Sequence, residues 1–370
     1  MKIGILTFHH TTNYGATLQT YALYTTLKSW NHQVEIIDYR PAKAAREYRN
    51  GIKPINKKLQ VNPHAANIFL RYLKMRVFLL SHIKLSKNKT YIKEGLRKTK
   101  QDYDVVICGS DQVWCIDSPI RGFDTSYFLD FVPSQATRKI SYAASFGQTD
   151  YLGKHQEAIK ELIQSFSAIS VRDSNSLSLI QSLEKQAVKV LDPTFLINYD
   201  DIKSVPKQEE YLLIYYHGNL SDQEKQFVRA IAELKKIKIV SIWSSHDVAS
   251  KNILSVGPRE WLGYFSKASY VVTNFYHGTI FSIIFEKLFT VLICQEKANK
   301  IGDLLKTLEL CDRTLSGVIK PETIYQQSLA IDYVTVNRKL KSEILASQNY
   351  LLDALEGKSE YLSNKYEVVK

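Results

Sequence analysis

An α/β chain of two doubly wound, Rossmann-like domains facing one another across a cleft is the fold class this sequence predicts. Three observations lead there. Apolar, β-branched runs alternate with segments of helical apolar spacing along most of the 370 residues. One polar passage, NYDDIKSVPKQEE (198–210), breaks the alternation and reads as a linker. The polar loops richest in chemistry each follow a strand-like run, which is where open α/β sheets bind ligands.

Taken in order, KIGILTF is β-like, and GATLQTYALYTTLKSW after it spaces Leu18, Tyr21, Ala22 and Leu27 as a helix does. QVEIIDY returns as a strand, completing a strand–helix–strand unit of the length a parallel pair needs. YDVVICG, RKISYAASF and SAISVR are further buried strands, with helical KHQEAIKELIQSF between two of them. Beyond the linker the alternation resumes: YLLIYYH, helix DQEKQFVRAIAELKK, strand KIVSIW, helix PREWLGYFSKA, strand SYVVTN, helix GTIFSIIFEKL, strand TVLIC. The predicted domains are 1–203, with a basic helical insert at about 42–100, then 204–333, and a final helix and tail, 334–370, that returns to the first domain. No internal repeat is present.

Hydrophobic content of 45% and charged content of 23% are those of a soluble globular protein. Cys108, Cys115, Cys294 and Cys311 form no CxxC pair and no zinc-type cluster, which suits buried thiols in a reducing compartment. The start, MKIGILTFHHTTNYG, lacks a secretory pattern, and no run reaches the roughly 18 apolar residues of a membrane span. A cytoplasmic protein is expected. The net charge of +12 is concentrated: residues 41–100 carry 16 Lys/Arg against Glu47 and Glu94. Within that segment Ile68, Phe69, Tyr72, Leu73, Val77, Leu80 and Ile83 fall at helical spacing, with Arg71, Lys74, Arg76 and Lys84 between them. The pattern fits a partly buried helix with a solvated basic face. It also fits a surface, residues 64–100, for peripheral contact with an anionic membrane or a diphosphate-linked acceptor. No nucleic-acid-binding motif accompanies the charge.

Four loops hold the candidate residues. Asn13, Tyr14 and Gly15 open a helix whose free N–H groups would welcome an anion, or form an ordinary cap. In GSDQVW, Ser110, Asp111 and Gln112 can bind sugar hydroxyls and Trp114 can offer a ring face; capping and packing are the plainer uses. Arg172, ending an apolar run, either pairs with a neighbour such as Asp173 or meets a carboxylate or phosphate. His277, beside Gly278 and Thr279 at a strand-to-helix junction, is either packed or a proton donor and anion clamp.

NYGATLQTYAL, DVVICGSDQVW, KISYAASFG, ISVRDSNS, VLDPTFL and VVTNFYHGTIFSIIF, in this order from Lys2 to about Arg313, resemble the motif series of the polysaccharide pyruvyl transferases. The resemblance implies a GT-B-like fold and a phosphoenolpyruvate donor. The acceptor it implies is a hexose of a cell-surface polysaccharide, or of its lipid-diphosphate-linked precursor, and the product is a pyruvate ketal. It places donor binding and proton donation on His277, with Gly278, Thr279 and Arg172, and orientation of an acceptor hydroxyl on Asp111. Well-studied members carry arginine two residues before the histidine; Phe275 stands here, and Lys300 and the basic segment are the candidates to supply the cation for the donor. The chemistry requires no metal and no cofactor beyond phosphoenolpyruvate as co-substrate. The competing readings are a glycosyltransferase using a nucleotide sugar in the same cleft and a non-catalytic glycan-binding relative.

Overall fold

The computed structural model describes residues 1–51, 53, 63–98, 102–133, 137–207, 209–293, 298–317 and 319–358. Cys294, parts of the basic segment and the tail after residue 358 lie outside them. In chain order the elements are β1 (Lys2–Leu6), α1 (Tyr14–Ser29), β2 (Gln33–Ile36), α2 (Ala42–Gly51), α3 (Ala65–His82), α4 (Lys93–Lys98), β3 (Val105–Cys108), β4 (Arg138–Ser141), α5 (Gln156–Gln164), β5 (Ser170–Val171), α6 (Ser174–Ser182) and β6 (Val188–Lys189). There follow β7 (Tyr211–Tyr215), α7 (Asp222–Leu234), β8 (Lys238–Ile242), β9 (Lys251–Ile253), α8 (Pro258–Lys267), β10 (Tyr270–Thr273), α9 (Tyr276–Ile284), β11 (Leu288–Leu292), α10 (Ala298–Thr307), β12 (Thr314–Leu315), α11 (Pro321–Ser328) and α12 (Tyr333–Glu356).

The chain divides into two units. The first comprises Met1–Gly51, Leu79–Ile197 and Lys341–Lys370; the second, Ile52–Phe78 and Asn198–Leu340. The basic segment, assigned from its sequence to the first domain, is therefore split, and α3 up to Phe78 belongs to the second unit. The reason is packing: Lys74 pairs with Glu260 of α8 at 2.7 Å, and Met75 and Phe78 are buried.

In the first unit a parallel sheet runs β2-β1-β3-β4. Its strands are apolar on both faces because helices cover both, as parallel sheets require. Ile3 and Ile5 share one core with Val105 and Ile107, while Leu6 shares the other with Val106 and Cys108. Two serines join β4 to the short β5–β6 pair. Ser141 Oγ donates to Ser170 O at 2.9 Å and accepts from Ser170 N at 3.0 Å, and Ser170 Oγ accepts from Ala143 N at 3.1 Å. The C-terminal part of α12 closes this unit. Tyr350, fully buried, donates its hydroxyl to Ser141 O at 2.9 Å, and Ser347 Oγ accepts from Leu191 N at 2.9 Å.

The second unit holds a six-stranded parallel sheet, β12-β11-β10-β7-β8-β9. β10 and β7 lie at its centre, with Tyr270 opposite Leu212 and Thr273 opposite Tyr215. A capping box, Ser221 with Glu224, starts α7, and Pro258 at the first position starts α8. The strands β6, β9 and β12 and the helices α10 and α11 are additions to the sequence reading. The three strands are two or three residues long, too short to show a period.

Candidate active-site residues at the carboxyl ends of the strands

In the first unit the centre is a buried carboxylate, Asp192, with no exposed surface. One oxygen accepts from Arg172 Nη1 at 2.9 Å and from Ser110 Oγ at 3.1 Å; the other accepts from Thr194 N at 3.1 Å and Thr194 Oγ1 at 2.7 Å. Ser110 follows β3, Arg172 follows β5 and Asp192 follows β6, so one carboxylate ties three strand ends together. Burying a carboxylate is tolerable when both of its oxygens are bonded, as those of Asp192 are. Arg172 has a side chain 1% exposed, and its other edge, Nη2, lies 3.8 Å from Asp111 Oδ1. Asp111 takes a left-handed backbone, φ 93°, and caps its own loop by accepting from Gln112 N at 2.8 Å. Its side chain is 18% exposed, the open end of this network. The partner of Arg172 is thus Asp192, twenty residues on. Asp173 instead caps α6 through Ser176 N and accepts from Ser145 Oγ at 2.6 Å.

Trp114, Asn13 and Tyr14 need correction, and Gln112 is placed against its neighbour. Trp114 is 1% exposed, stacked on Phe128 at 5.4 Å and bonded through Nε1 to Tyr127 O, so its ring has no face left for a sugar. Asn13 caps α1, its Oδ1 accepting from Gly15 N at 2.8 Å and Ala16 N at 3.4 Å; these N–H groups are occupied. Tyr14 is buried with the core. Gln112 packs its amide against Gly147, which a Cβ would bring to 3.0 Å.

A second cluster in this unit escaped the sequence reading. After β1, His9 faces acceptors with both ring nitrogens: Asp38 Oδ1 at 2.9 Å and Thr7 O at 3.2 Å. Arg40 grips the same Asp38 through two bonds of 2.6 and 2.9 Å. Burial raises the Asp38 pKa, but the hydrogen bonds from His9 and Arg40 outweigh it and hold the carboxyl down at about 2. Next to them His10 packs edge-on against His9 and Tyr48, with both ring nitrogens buried and unbonded. Burial, then the neighbouring His9 and Arg40, push its pKa down to about 2. The signal available in the sequence was the pairing of HH after the first strand with IDYR after the second, since parallel neighbours bring such loops together.

In the second unit β10 ends in Thr273, and Phe275 caps α9. A Cβ on Gly278 would lie 2.2 Å from Thr273 Oγ1 and 3.1 Å from the Tyr215 ring, so only glycine lets the first turn of α9 rest on the sheet. This places His277, 8% exposed, in that first turn at the carboxyl end of β10. Tyr276 lies against it at 5.4 Å, and Lys300 Nζ lies 5.8 Å from the Tyr276 ring. Thr279 is a correction: it is fully buried and its hydroxyl donates to Phe275 O at 3.1 Å, within its own helix. Phe275 stacks on Tyr215 at 4.3 Å and meets Trp243 edge-on at 5.2 Å. Asn274 bonds His217 reciprocally, accepting from its N at 2.8 Å and donating to its O at 2.9 Å, which fixes the loops after β7 and β10 to one another. Among the described residues no group of three or more His, Cys, Asp or Glu is placed to hold a metal ion.

Two outcomes follow for the first unit. Asp192→Ala strands the Arg172 guanidinium in the core and should lower unfolding stability in urea by about 3–5 kcal/mol, with Asp192→Asn costing less. A loss under 1 kcal/mol for the alanine variant would show that the pair is not what holds the strand ends. His10, neutral when folded, is protonated below its ordinary value of 6.5 only in the unfolded chain, so stability should decline as pH falls below 6.5. The slope from this group is up to about 1.4 kcal/mol per pH unit, and His10→Leu should remove it between pH 6.5 and 4.5. Equal slopes in both proteins would contradict the assignment.

Comparison with known proteins agrees with this architecture. The Arabidopsis thaliana protein UGT89C1, complexed with UDP-L-rhamnose, is similar at a TM-score of 0.53 and 7% identity, over 98% of each chain. The glycotransferase of kitacinnamycin is similar at 0.50 and 13%, over 97% of this chain and 98% of that one. A UDP-GlcNAc 2-epimerase from Methanocaldococcus jannaschii gives 0.47 and 12%, over 88% and 91%. No curated protein matches the chain. The two-unit α/β architecture is GT-B-like. The family model described as polysaccharide pyruvyl transferase matches residues 13–295, most of the chain, and the protein belongs to that family.

Proposed function

We propose that the protein transfers pyruvate from phosphoenolpyruvate to two hydroxyls of a hexose in a cell-surface polysaccharide or its lipid-linked precursor. The observation that carries this reading is His277, seated in the first turn of α9 beyond β10 within the span that the family model matches. A helix N-terminus favours an anion, and an imidazole there can deliver a proton. His277 protonates the methylene carbon of the enol, giving a cation stabilised by the adjacent oxygen. A sugar hydroxyl adds to the neighbouring cationic carbon, the one that bears the phosphate oxygen and the carboxylate. The bond from this carbon to that oxygen then breaks so that phosphate leaves, and the second hydroxyl adds to the same carbon to close the ketal. One hydroxyl proton restores the imidazolium of His277 and the other leaves with the phosphate. Asp111, the partly open end of its network, orients or deprotonates the attacking hydroxyl. Arg172, neutralised by Asp192, acts as the positioning residue for Asp111 rather than as a donor contact.

Thermal unfolding with added ligand tests this. Phosphoenolpyruvate at about 100 times its dissociation constant should stabilise the parent by roughly 2.7 kcal/mol, and His277→Ala should abolish the shift. A shift with uridine diphosphate alone would assign a nucleotide-sugar glycosyltransferase. Silence from both ligands, with sugar binding retained, would assign a glycan-binding relative.

The same reading proposes peripheral contact with an anionic membrane on the inner face. Among the described residues no helix is long and apolar enough to cross a membrane. On α3, however, Phe69, Leu73 and Val77 are 48%, 40% and 65% exposed at successive turns, and Lys84, Lys87 and Lys89 stand exposed in the segment after it. Such a ridge, followed along the chain by cations, suits an acidic lipid surface. The protein should co-sediment with phosphatidylserine vesicles at low salt and be released at high salt, and Phe69→Asp with Val77→Asp should prevent binding. Absence of sedimentation at low salt would exclude this surface.

A further inference from the structure

Helix α3 buries one charged residue, Arg71, on the same inner face as Met75 and Phe78. Phe69, Leu73 and Val77 face outward, whereas Arg71 lies inside, 7% exposed, one turn from buried Met75. Among the described residues no carboxylate lies within ion-pair distance of Arg71. Its polar contact is a single bond from Nη1 to the Trp243 carbonyl at 3.0 Å, and its guanidinium carbon stands 5.6 Å from the Trp243 ring centre. Nε is buried without a partner. A buried guanidinium with one carbonyl and one ring is poorly compensated, because buried charges need an opposite charge or full hydrogen bonding. Compare Arg172 in the other unit, which has Asp192 at 2.9 Å.

The place of Arg71 narrows what could complete it. Trp243 follows β8 at the carboxyl end of the second sheet and takes a left-handed backbone, φ 75°, which a bulky side chain rarely adopts. Its ring meets Phe275 edge-on at 5.2 Å. Phe275 occupies the position, two residues before His277, where the resemblance described from the sequence implies an arginine. Arg71 is therefore joined to that position through one intervening aromatic residue, Trp243; β8 and β10, the strands that lead to Trp243 and Phe275, stand on either side of β7 in the sheet of a single unit.

We propose that Arg71, brought in by α3, is the cation that binds the phosphate of the donor in this chain, taking over the part that Phe275 cannot play. The inference deepens the pyruvyl-transfer reading and rests on it only for the identity of the donor. The phosphate supplies the missing countercharge, and the guanidinium binds it through charge-assisted N–H···O bonds.

The test measures dissociation constants for phosphoenolpyruvate, inorganic phosphate and uridine diphosphate, and ligand-free stability in urea, for the parent, Arg71→Met, Arg71→Lys and His277→Ala. Arg71→Met should weaken the anion that binds the parent by about tenfold or more. Arg71→Lys should recover part of that loss, and the ligand-free urea midpoint of Arg71→Met should equal or exceed that of the parent, since an uncompensated buried charge has been removed. A purely structural arginine would give the reverse, a lower midpoint with unchanged anion affinity, and would overturn the proposal. If His277→Ala loses phosphoenolpyruvate while Arg71→Met keeps it, the proposal fails and the donor reading stands. If the parent binds uridine diphosphate instead and Arg71→Met loses it, the phosphate site stands and the donor reading fails. A parent that binds none of the three anions overturns the proposal.

Discussion

The carboxylate of Asp192 is the constraint on which the first unit depends. It accepts four hydrogen bonds, and each comes from a residue whose position fixes part of the candidate site. Ser110 sets the exit of β3, Arg172 the exit of β5, and Thr194 the turn that leads out of β6. Remove the charge and the Arg172 guanidinium loses its counterion; remove the arginine and the carboxylate is stranded instead. Either way the register of Asp111, held 3.8 Å from the far edge of the same guanidinium, is lost. A buried pair adds little net stability relative to an apolar core. What it provides here is direction: it forces three strand ends to share one centre, which apolar packing alone would not specify.

The sequence showed this fold because both sheets are parallel and covered on both faces. That arrangement demands unbroken apolar runs such as VVIC and YLLIY, separated by helices of regular period, and these can be read without any tertiary information. His277 and Gly278 were legible for a related reason: a glycine between a strand and a helix signals close backbone approach, and here the approach to Thr273 and Tyr215 admits no Cβ. Pairing across long intervals was not legible. The separations of 29 positions between His9 and Asp38 and of 172 between Arg71 and Trp243 carry no local signature. Trp114 misled because Asp-Gln-x-Trp describes a sugar platform and a core anchor equally well; burial decides, and burial is a tertiary property.

The basic segment shows how far composition and placement can diverge. Its charge is the strongest bulk feature of the chain, yet the positive groups do not all face solvent. Lys74 is matched by Glu260, and Arg71 is drawn inside against Trp243, while Phe69, Leu73 and Val77 remain outside. Amphipathic logic accounts for the inner face of this helix, where Met75 and Phe78 are buried. Arg71 shares that inner face, so its burial accompanies theirs. The exposed apolar residues and the buried arginine lie on different faces of one helix.

Backbone strain falls where the same reasoning places function. Of the non-glycine residues with positive φ among those described, Asn31, Glu184, Lys236, Glu286 and Glu309 follow helix ends, and Leu129 closes a 3₁₀ turn. These positions use the left-handed conformation as an ordinary stop. Asp111, Ala143 and Trp243 have no such explanation. Each stands just beyond the carboxyl end of a parallel strand, β3, β4 and β8 respectively. A left-handed residue there swings the side chain off the strand's alternation and toward the edge where the loops gather. In Asp111 the result is a carboxylate aimed back at Arg172; in Trp243 it is a ring set between Arg71 and Phe275. Strain of this kind costs about 1–3 kcal/mol per residue and persists only where the surroundings enforce it. In the first unit the enforcement comes from Asp192. In the second it comes from the reciprocal bonds of Asn274 with His217 and the stack of Phe275 on Tyr215, which hold the loops after β7 and β10 against Trp243. Two unrelated sets of contacts thus do the same physical work, keeping one polar or aromatic side chain turned to the carboxyl edge of its sheet.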